Sequence, residues 1–306
     1  MDATQGSPDP SLAGGAERRL LNELESALKA EANDRCMLPD TLCHYTTAEG
    51  MIGILESGTI HFTHAGFLND SSEVSYGTNV IRQGITEELA RADSDAWSKF
   101  LTNLSGYCVS VWELLDCFVA CFCKDSDRLS QWRSYGLVSG YCLEFRTERL
   151  LWEYPPGMAW TGFKRMIYQP PDQRALVSRT LERFRPAVDA HNGSASMEDP
   201  ALSALFNAVV PLILSLKHPA FAEEGESRFI ALAWRFADPV QSLAFRSRSG
   251  MIVPYMPVGV AAGLPLQVIR HGPHPEPAIT KHYLTMVAER YGYSVSVEGS
   301  NVPLRS

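Results

Sequence analysis

No apolar run in this sequence is long enough to cross a bilayer. The most apolar window, Ala201 to Leu216, falls short of the roughly 20 residues a spanning helix needs and carries Asn207 and Pro211. It reads as a buried, kinked helix, and no membrane association is expected. The opening stretch, MDATQGSPDPSLAGG, lacks a basic segment followed by an apolar one, so no secretory signal and a cytoplasmic location are expected. The seven cysteines are odd in number and have no disulfide spacing, which fits reduced thiols. Cys121 and Cys123 form a C-x-C without a second pair at metal-ligand spacing, so no metal is expected. There is no G-x-G-x-x-G, Walker loop, G-x-S-x-G or H-E-x-x-H, which excludes the common phosphate loops, hydrolase elbows and zinc proteases. A net charge of −8 argues against a broad, non-specific grip on nucleic acid.

What is present suits a folded chain: 306 residues, 45% hydrophobic and 20% charged. Residues up to about Gly15 are rich in Pro, Gly and Ser and read as disordered, followed by an accessory helix through Leu20, Leu21, Leu24 and Leu28. The remainder, 36–306, reads as one domain. Leu42 to Tyr45 reads as a strand. Thr47 caps a helix with Met51, Ile54 and Leu55 on one face, which Gly58 closes. Ile60 to Thr63 alternates as a second strand, and Asp70 with Glu73 has capping-box spacing for a helix starting near Ser71. Further helices are expected near Val74 to Arg91, Asp95 to Leu104, Asp172 to Arg185 and Thr280 to Arg290. Cys117 to Cys123 is apolar without a break, as a strand buried on both faces requires. Other strands are expected at Ser139 to Phe145, Thr161 to Tyr168, Glu226 to Phe236, Met251 to Tyr255, Leu266 to Arg270 and Tyr293 to Val297. Helices and strands mix without regular β-α alternation, so the class is α+β.

Three clusters hold residue types that do chemistry. His44 and Thr46 share a strand face and can offer two hydrogen-bonding groups to one ligand, with Tyr45 pointing the other way. Asn69 and Asp70 sit at an element end, where side chains face crevices. Gln131, Trp132, Arg133 and Tyr135 put a guanidinium beside planar groups, suited to a phosphate, a carboxylate or a flat ring; equally, the aromatics can be core and Arg133 an ion-pair partner. Glu224, Glu226 and Arg228 fall on one face of a strand, and two carboxylates so placed can split their pKa values or aim at one substrate. His61 and His64 read as surface histidines.

Several stretches carry a resemblance: LCHYTTAEGMIGILESG, FLNDSSEVSYG, FVACFCKDSDRLSQWRSYG, GYCLEF, LKHPAFAEEGESRF, MIVPY, the strand ending Ile269-Arg270-His271-Gly272-Pro273, and the terminal Ser300 to Arg305. Together they resemble the bacterial domain-of-unknown-function family numbered 2971. That family in turn resembles the ADP-ribosyltransferase superfamily, through the His-x-Thr strand, the following helix ending I-L-x-x-G, and E-x-E at Glu224-Gly225-Glu226. The resemblance implies a split, mixed or antiparallel sheet with flanking helices. It also implies an enzyme that cleaves the nicotinamide–ribose bond of NAD and moves ADP-ribose to a protein or nucleic acid. Glu226 would stabilise the oxocarbenium-like state, with Glu224 assisting and Arg133 meeting the pyrophosphate or the acceptor. His44, Tyr45, Thr46, Asn69, Asp70, Gln131 and Tyr135 would bind NAD, with Tyr135 the candidate to stack on nicotinamide. A toxin or phage-defence setting, with an antitoxin partner, belongs to the same resemblance. The alternatives are a non-catalytic ligand-binding or regulatory module and an NAD glycohydrolase. The transferase requires His44, Arg133 and Glu226 to line one cleft; Glu226 on the opposite sheet face from His44 would sink the enzymatic reading drawn through that pair.

Overall fold

In Thr41–Thr46 (β1), Leu42 points to the larger apolar core and Cys43 and Tyr45 to a smaller one on the other face. The computed structural model describes residues 38–68, 72–135, 140–190, 209–235, 242–248 and 250–303. The expected N-terminal helix, Asn69, Asp70, the loop 191–200 and the first half of the apolar window 201–216 lie outside these residues.

The chain is α+β, with a large, mostly antiparallel sheet flanked by helices. After β1 come α1 (Ala48–Ser57), β2 (Thr59–His64), α2 (Glu73–Leu89), α3 (Asp95–Leu114), β3 (Leu115–Cys123), α4 (Leu129–Tyr135), β4 (Tyr141–Arg146), β5 (Trp152–Glu153), β6 (Met158–Arg165) and α5 (Pro170–Ala190). A 3-10 helix (Pro219–Glu224) leads into β7 (Glu226–Trp234), followed by β8 (Ala244–Arg248), β9 (Met251–Val260), β10 (Leu266–His271), α6 (Pro277–Arg290) and β11 (Ser296–Gly299). The strand order is β11-β10-β4-β1-β3-β2-β9-β5, with β7 between β3 and β6 and β8 paired to β9. Every pairing is antiparallel except β10 with β11.

The local signals act as their chemistry predicts. The Thr47 hydroxyl accepts the Gly50 N–H at 3.2 Å, and Gly58 closes α1 at φ 66°. Other boundaries differ. α3 runs to Leu114 rather than Leu104, because Cys108 and Val111 continue its buried stripe. α2 begins at Glu73, and its N-cap Ser72 makes no side-chain cap bond. β6 spans Met158–Arg165 and β11 Ser296–Gly299, each displaced from the expected strand, while the short β5 and β8 have no counterpart in the expectations.

The feature that positions the site is a fork along β3. One edge of β3 pairs with β7 over its whole length, from Leu115↔Trp234 to Cys123↔Glu226. The other edge is shared: β2 meets it at Phe118 and Val119, and β1 only at Cys43↔Cys123. Residues 120–122 therefore face the gap where β1 and β2 part. On the inner face, Phe122, Phe229 and Trp152 pack with Met51, Ile54 and Leu284 from α1 and α6. On the outer face, Cys117, Val119, Ile230 and Leu232 meet Val111, Val210 and Leu214, and beyond them α2, α3 and α5 form their own core around Trp97 and Phe184.

Candidate functional site

At the end of β7 nearest the fork, five charged side chains meet on the outer face. Lys217 Nζ spends all three hydrogens on carboxylates: Glu73 at 2.9 Å, Glu224 at 2.5 Å and Glu226 at 2.7 Å. Arg228 grips Glu226 in a two-point contact, Nε to Oε1 at 2.7 Å and Nη2 to Oε2 at 3.0 Å, and Nη2 also meets Glu73 at 2.5 Å. The backbone N–H of Glu226 donates to Tyr168 Oη at 2.9 Å. Strand alternation explains why two ions of opposite sign share a face here: Glu226 and Arg228 are two residues apart, and Cys121 lies opposite Arg228 on β3.

The three carboxylates are not equivalent. Burial would raise the Glu226 carboxyl, but Arg228 and Lys217 outweigh it and hold the group at about 2, so it is ionised at neutral pH. Both its oxygens are occupied and its side chain is 7% exposed. Glu224 is 25% exposed, and only its Oε2 is engaged. Burial raises its pKa, Lys217 opposes, and the charges of Glu226 and Glu73 add to the rise. With two cations against three carboxylates, the cluster holds one surplus negative charge when all are ionised, and Glu224 is the member with an oxygen that has no partner among the described residues.

His44 occupies the fork. Its Nδ1 lies 2.8 Å from the Cys121 carbonyl, which can only accept, so Nδ1 carries the proton. Burial and the nearby Arg246 lower its pKa against the pull of that carbonyl, so the ring is neutral at pH 7 and Nε2 is an acceptor without a partner among the described residues. Its ring lies against Phe122, 5.3 Å between centroids, on the inner face. Glu226 leaves the sheet on the outer face, beside the Cys121 thiol. The expected pairing of His44 and Glu226 across one cleft is therefore not found as drawn. Both touch Cys121, one through its carbonyl and the other through its thiol, but their side chains depart on opposite faces of β3.

The other expected residues divide. Gln131 is buried, with Nε2 3.5 Å from the Glu224 carbonyl, which ties α4 to the cluster. Thr46 is buried at the end of β1, where a Cβ added at Gly50 would overlap its hydroxyl. Tyr45, expected to bind the cofactor, is instead a bracket within the protein: its hydroxyl donates to the Asp125 carbonyl and accepts the Arg128 N–H, each at 3.0 Å, and its ring meets Trp132 edge-on at 4.7 Å. Arg133 is exposed on α4 and joins neither His44 nor Glu226 by any contact. Asn69, Asp70 and the side chain of Tyr135 lie outside the description. Nor are the two β2 histidines plain surface residues: His61 lies against Tyr255 with the rings tilted and their centroids 4.3 Å apart, and His64 pairs with Asp116 at 3.4 Å.

Residues 131–229 match the family described as Protein of unknown function (DUF2971). Over this segment the chain is similar to that family. The match takes in Gln131, Lys217, Glu224, Glu226 and Arg228, and leaves His44, Glu73 and the β8–β9 hairpin outside it. No curated protein and no solved structure matches the chain. Among the described residues no helix is long and apolar enough to cross a membrane.

Sequence reasoning passed over Lys217 and Glu73 as members of the cluster. Glu73 read as a capping-box residue, yet its carboxylate goes to Lys217 and Arg228 instead. The available signal was the absence of any local role for a lysine beside the apolar LILSL run.

Proposed function

We propose that this protein is an NAD-dependent ADP-ribosyltransferase that acts through Glu224. The observation that carries the reading is the surplus negative charge around Lys217, which has an oxygen open to a ligand only at Glu224. Breaking the nicotinamide–ribose bond builds positive charge on the ribose, and a preorganised carboxylate is the group that reaction most needs. Nicotinamide leaves with the bonding electron pair, the acceptor's oxygen or nitrogen bonds to the ribose C1′, and Glu224 takes the acceptor's proton. Glu226, saturated by two cations, holds Lys217 and Arg228 and is a positioning residue. His44, on the other face of β3, takes no part in this step. That β1 meets β3 through one residue pair, Cys43↔Cys123, is in keeping with the split sheet that the resemblance implies.

A second reading is favoured by the placement of His44 and Glu226 on opposite faces: a ligand-binding module of the same fold without transfer. The deciding experiment incubates the protein with NAD labelled in the adenylate and with cell lysate, then digests separately with protease and nuclease. Label sensitive to one digestion identifies the acceptor class. Free ADP-ribose alone indicates a glycohydrolase, and NAD binding without nicotinamide release indicates the binding module.

A further inference from the structure

On the outer face of β2, across the fork from the Glu224 cluster, a second group of side chains has the opposite charge balance. Arg246 reaches from β8 over the ring of Tyr255, with its guanidinium carbon 5.1 Å from the ring centroid. It donates to Thr63 Oγ1 at 2.7 Å and to His61 Nδ1 at 3.3 Å. Because a guanidinium only donates, His61 Nδ1 is the acceptor and the ring proton sits on Nε2. Tyr255 thus holds two planar groups, Arg246 and His61, which are also bonded to each other. Among the described residues no carboxylate pairs with Arg246. Its closest charged influence is Arg248, two residues along the same strand face, which repels it.

A half-buried guanidinium with no counter-ion among the described residues costs the fold stability. Its hydrogen bonds to a threonine and a neutral histidine satisfy two of five N–H groups and none of the charge. Such an arrangement is complete when an anion occupies it. Three Arg246 N–H groups and His61 Nε2–H remain without a partner among the described residues, and both side chains are only partly buried.

We infer that Arg246, His61 and Thr63, carried on the Tyr255 ring, form a subsite for a phosphoryl anion. Arginine's planar fork suits phosphate oxygens, and the several unused donors of Arg246 and His61 suit a group with many oxygens, such as a pyrophosphate, better than a single carboxylate. The subsite stands apart from the transferase reading, because it needs neither Glu224 nor any reaction.

The test is calorimetric titration of the full chain with inorganic phosphate, inorganic pyrophosphate and ADP-ribose. Pyrophosphate is expected to bind more tightly than phosphate, and a further gain with ADP-ribose marks a nucleotide as the source. Arg246→Gln should weaken pyrophosphate binding by about 10-fold or more while the unliganded melting temperature holds or rises; Arg246→Lys should fall between. If Arg246→Gln does not fold, His61→Phe, which keeps the ring contact with Tyr255 and removes Nε2–H, should show the same weakening. Glu224→Gln should leave pyrophosphate binding intact, which separates this site from the transferase chemistry. The inference is overturned if the wild type binds none of the three probes, or if Arg246→Gln or His61→Phe binds pyrophosphate as the wild type does.

Discussion

Lys217 is the residue on which the charged cluster depends. Its three hydrogens go to three different carboxylates, and its side chain is 5% exposed, so no water can take its place. Lys217→Met leaves Arg228 alone against Glu73, Glu224 and Glu226. Breaking a buried pair from one side typically costs about 3–5 kcal/mol, and urea denaturation should show a loss of that size. Glu226 gives the cluster its acid sensitivity. Its pKa falls from 4.5 in the unfolded chain to about 2 in the fold, so its contribution is present above pH 4.5 and lost as the pH falls towards 2. The shift corresponds to on the order of 3 kcal/mol. Melting temperature should drop through that window in the wild type and more shallowly in Glu226→Gln, which starts less stable at pH 7. The variant is costly because it leaves Arg228, and Lys217 with it, short of a charge partner.

Among the elements, α1 shows how far local chemistry reaches. Its cap at Thr47, its buried face at Met51, Ile54 and Leu55, and its left-handed stop at Gly58 are all set within a dozen residues, and all were legible in the sequence. Thr47→Ala should cost about 1 kcal/mol through the lost cap, and Gly58→Ala a similar amount through φ 66°, both measurable by chemical denaturation. β3 was legible for the same reason, because a strand buried on both faces leaves an unbroken apolar run. The misplaced boundaries fall where tertiary contacts override local signals. α3 extends ten residues beyond its expected end because its buried stripe continues against the sheet, and β8 exists only by pairing with β9. Glu73 shows the same override on one side chain, drawn from a helix start into an ion cluster by residues more than 140 positions away.

At the scale of the molecule, what the sequence could not display is the fork. That β1 and β2 share one edge of β3 follows from long-range pairing, which leaves no periodicity to read. Only the fork tells that His44 caps the exposed Cys121 carbonyl, that Glu226 leaves on the other face, and that His61 belongs with Arg246. The E-x-E spacing did mark the charged cluster on the chain, but burial separates its two carboxylates: Glu226 is tied down and Glu224 is partly exposed. The account therefore rests on Glu224 as the acting carboxylate. Its most direct test is release of nicotinamide and transfer of label from NAD by the wild type and Glu224→Gln, with NAD affinity and melting temperature measured alongside. Glu224→Gln should keep the fold and bind NAD while losing transfer by about 10²-fold or more, the usual cost of removing one preorganised electrostatic stabiliser. A Glu224→Gln protein that transfers ADP-ribose at the wild-type rate, or a wild type that releases no nicotinamide from NAD, would contradict it.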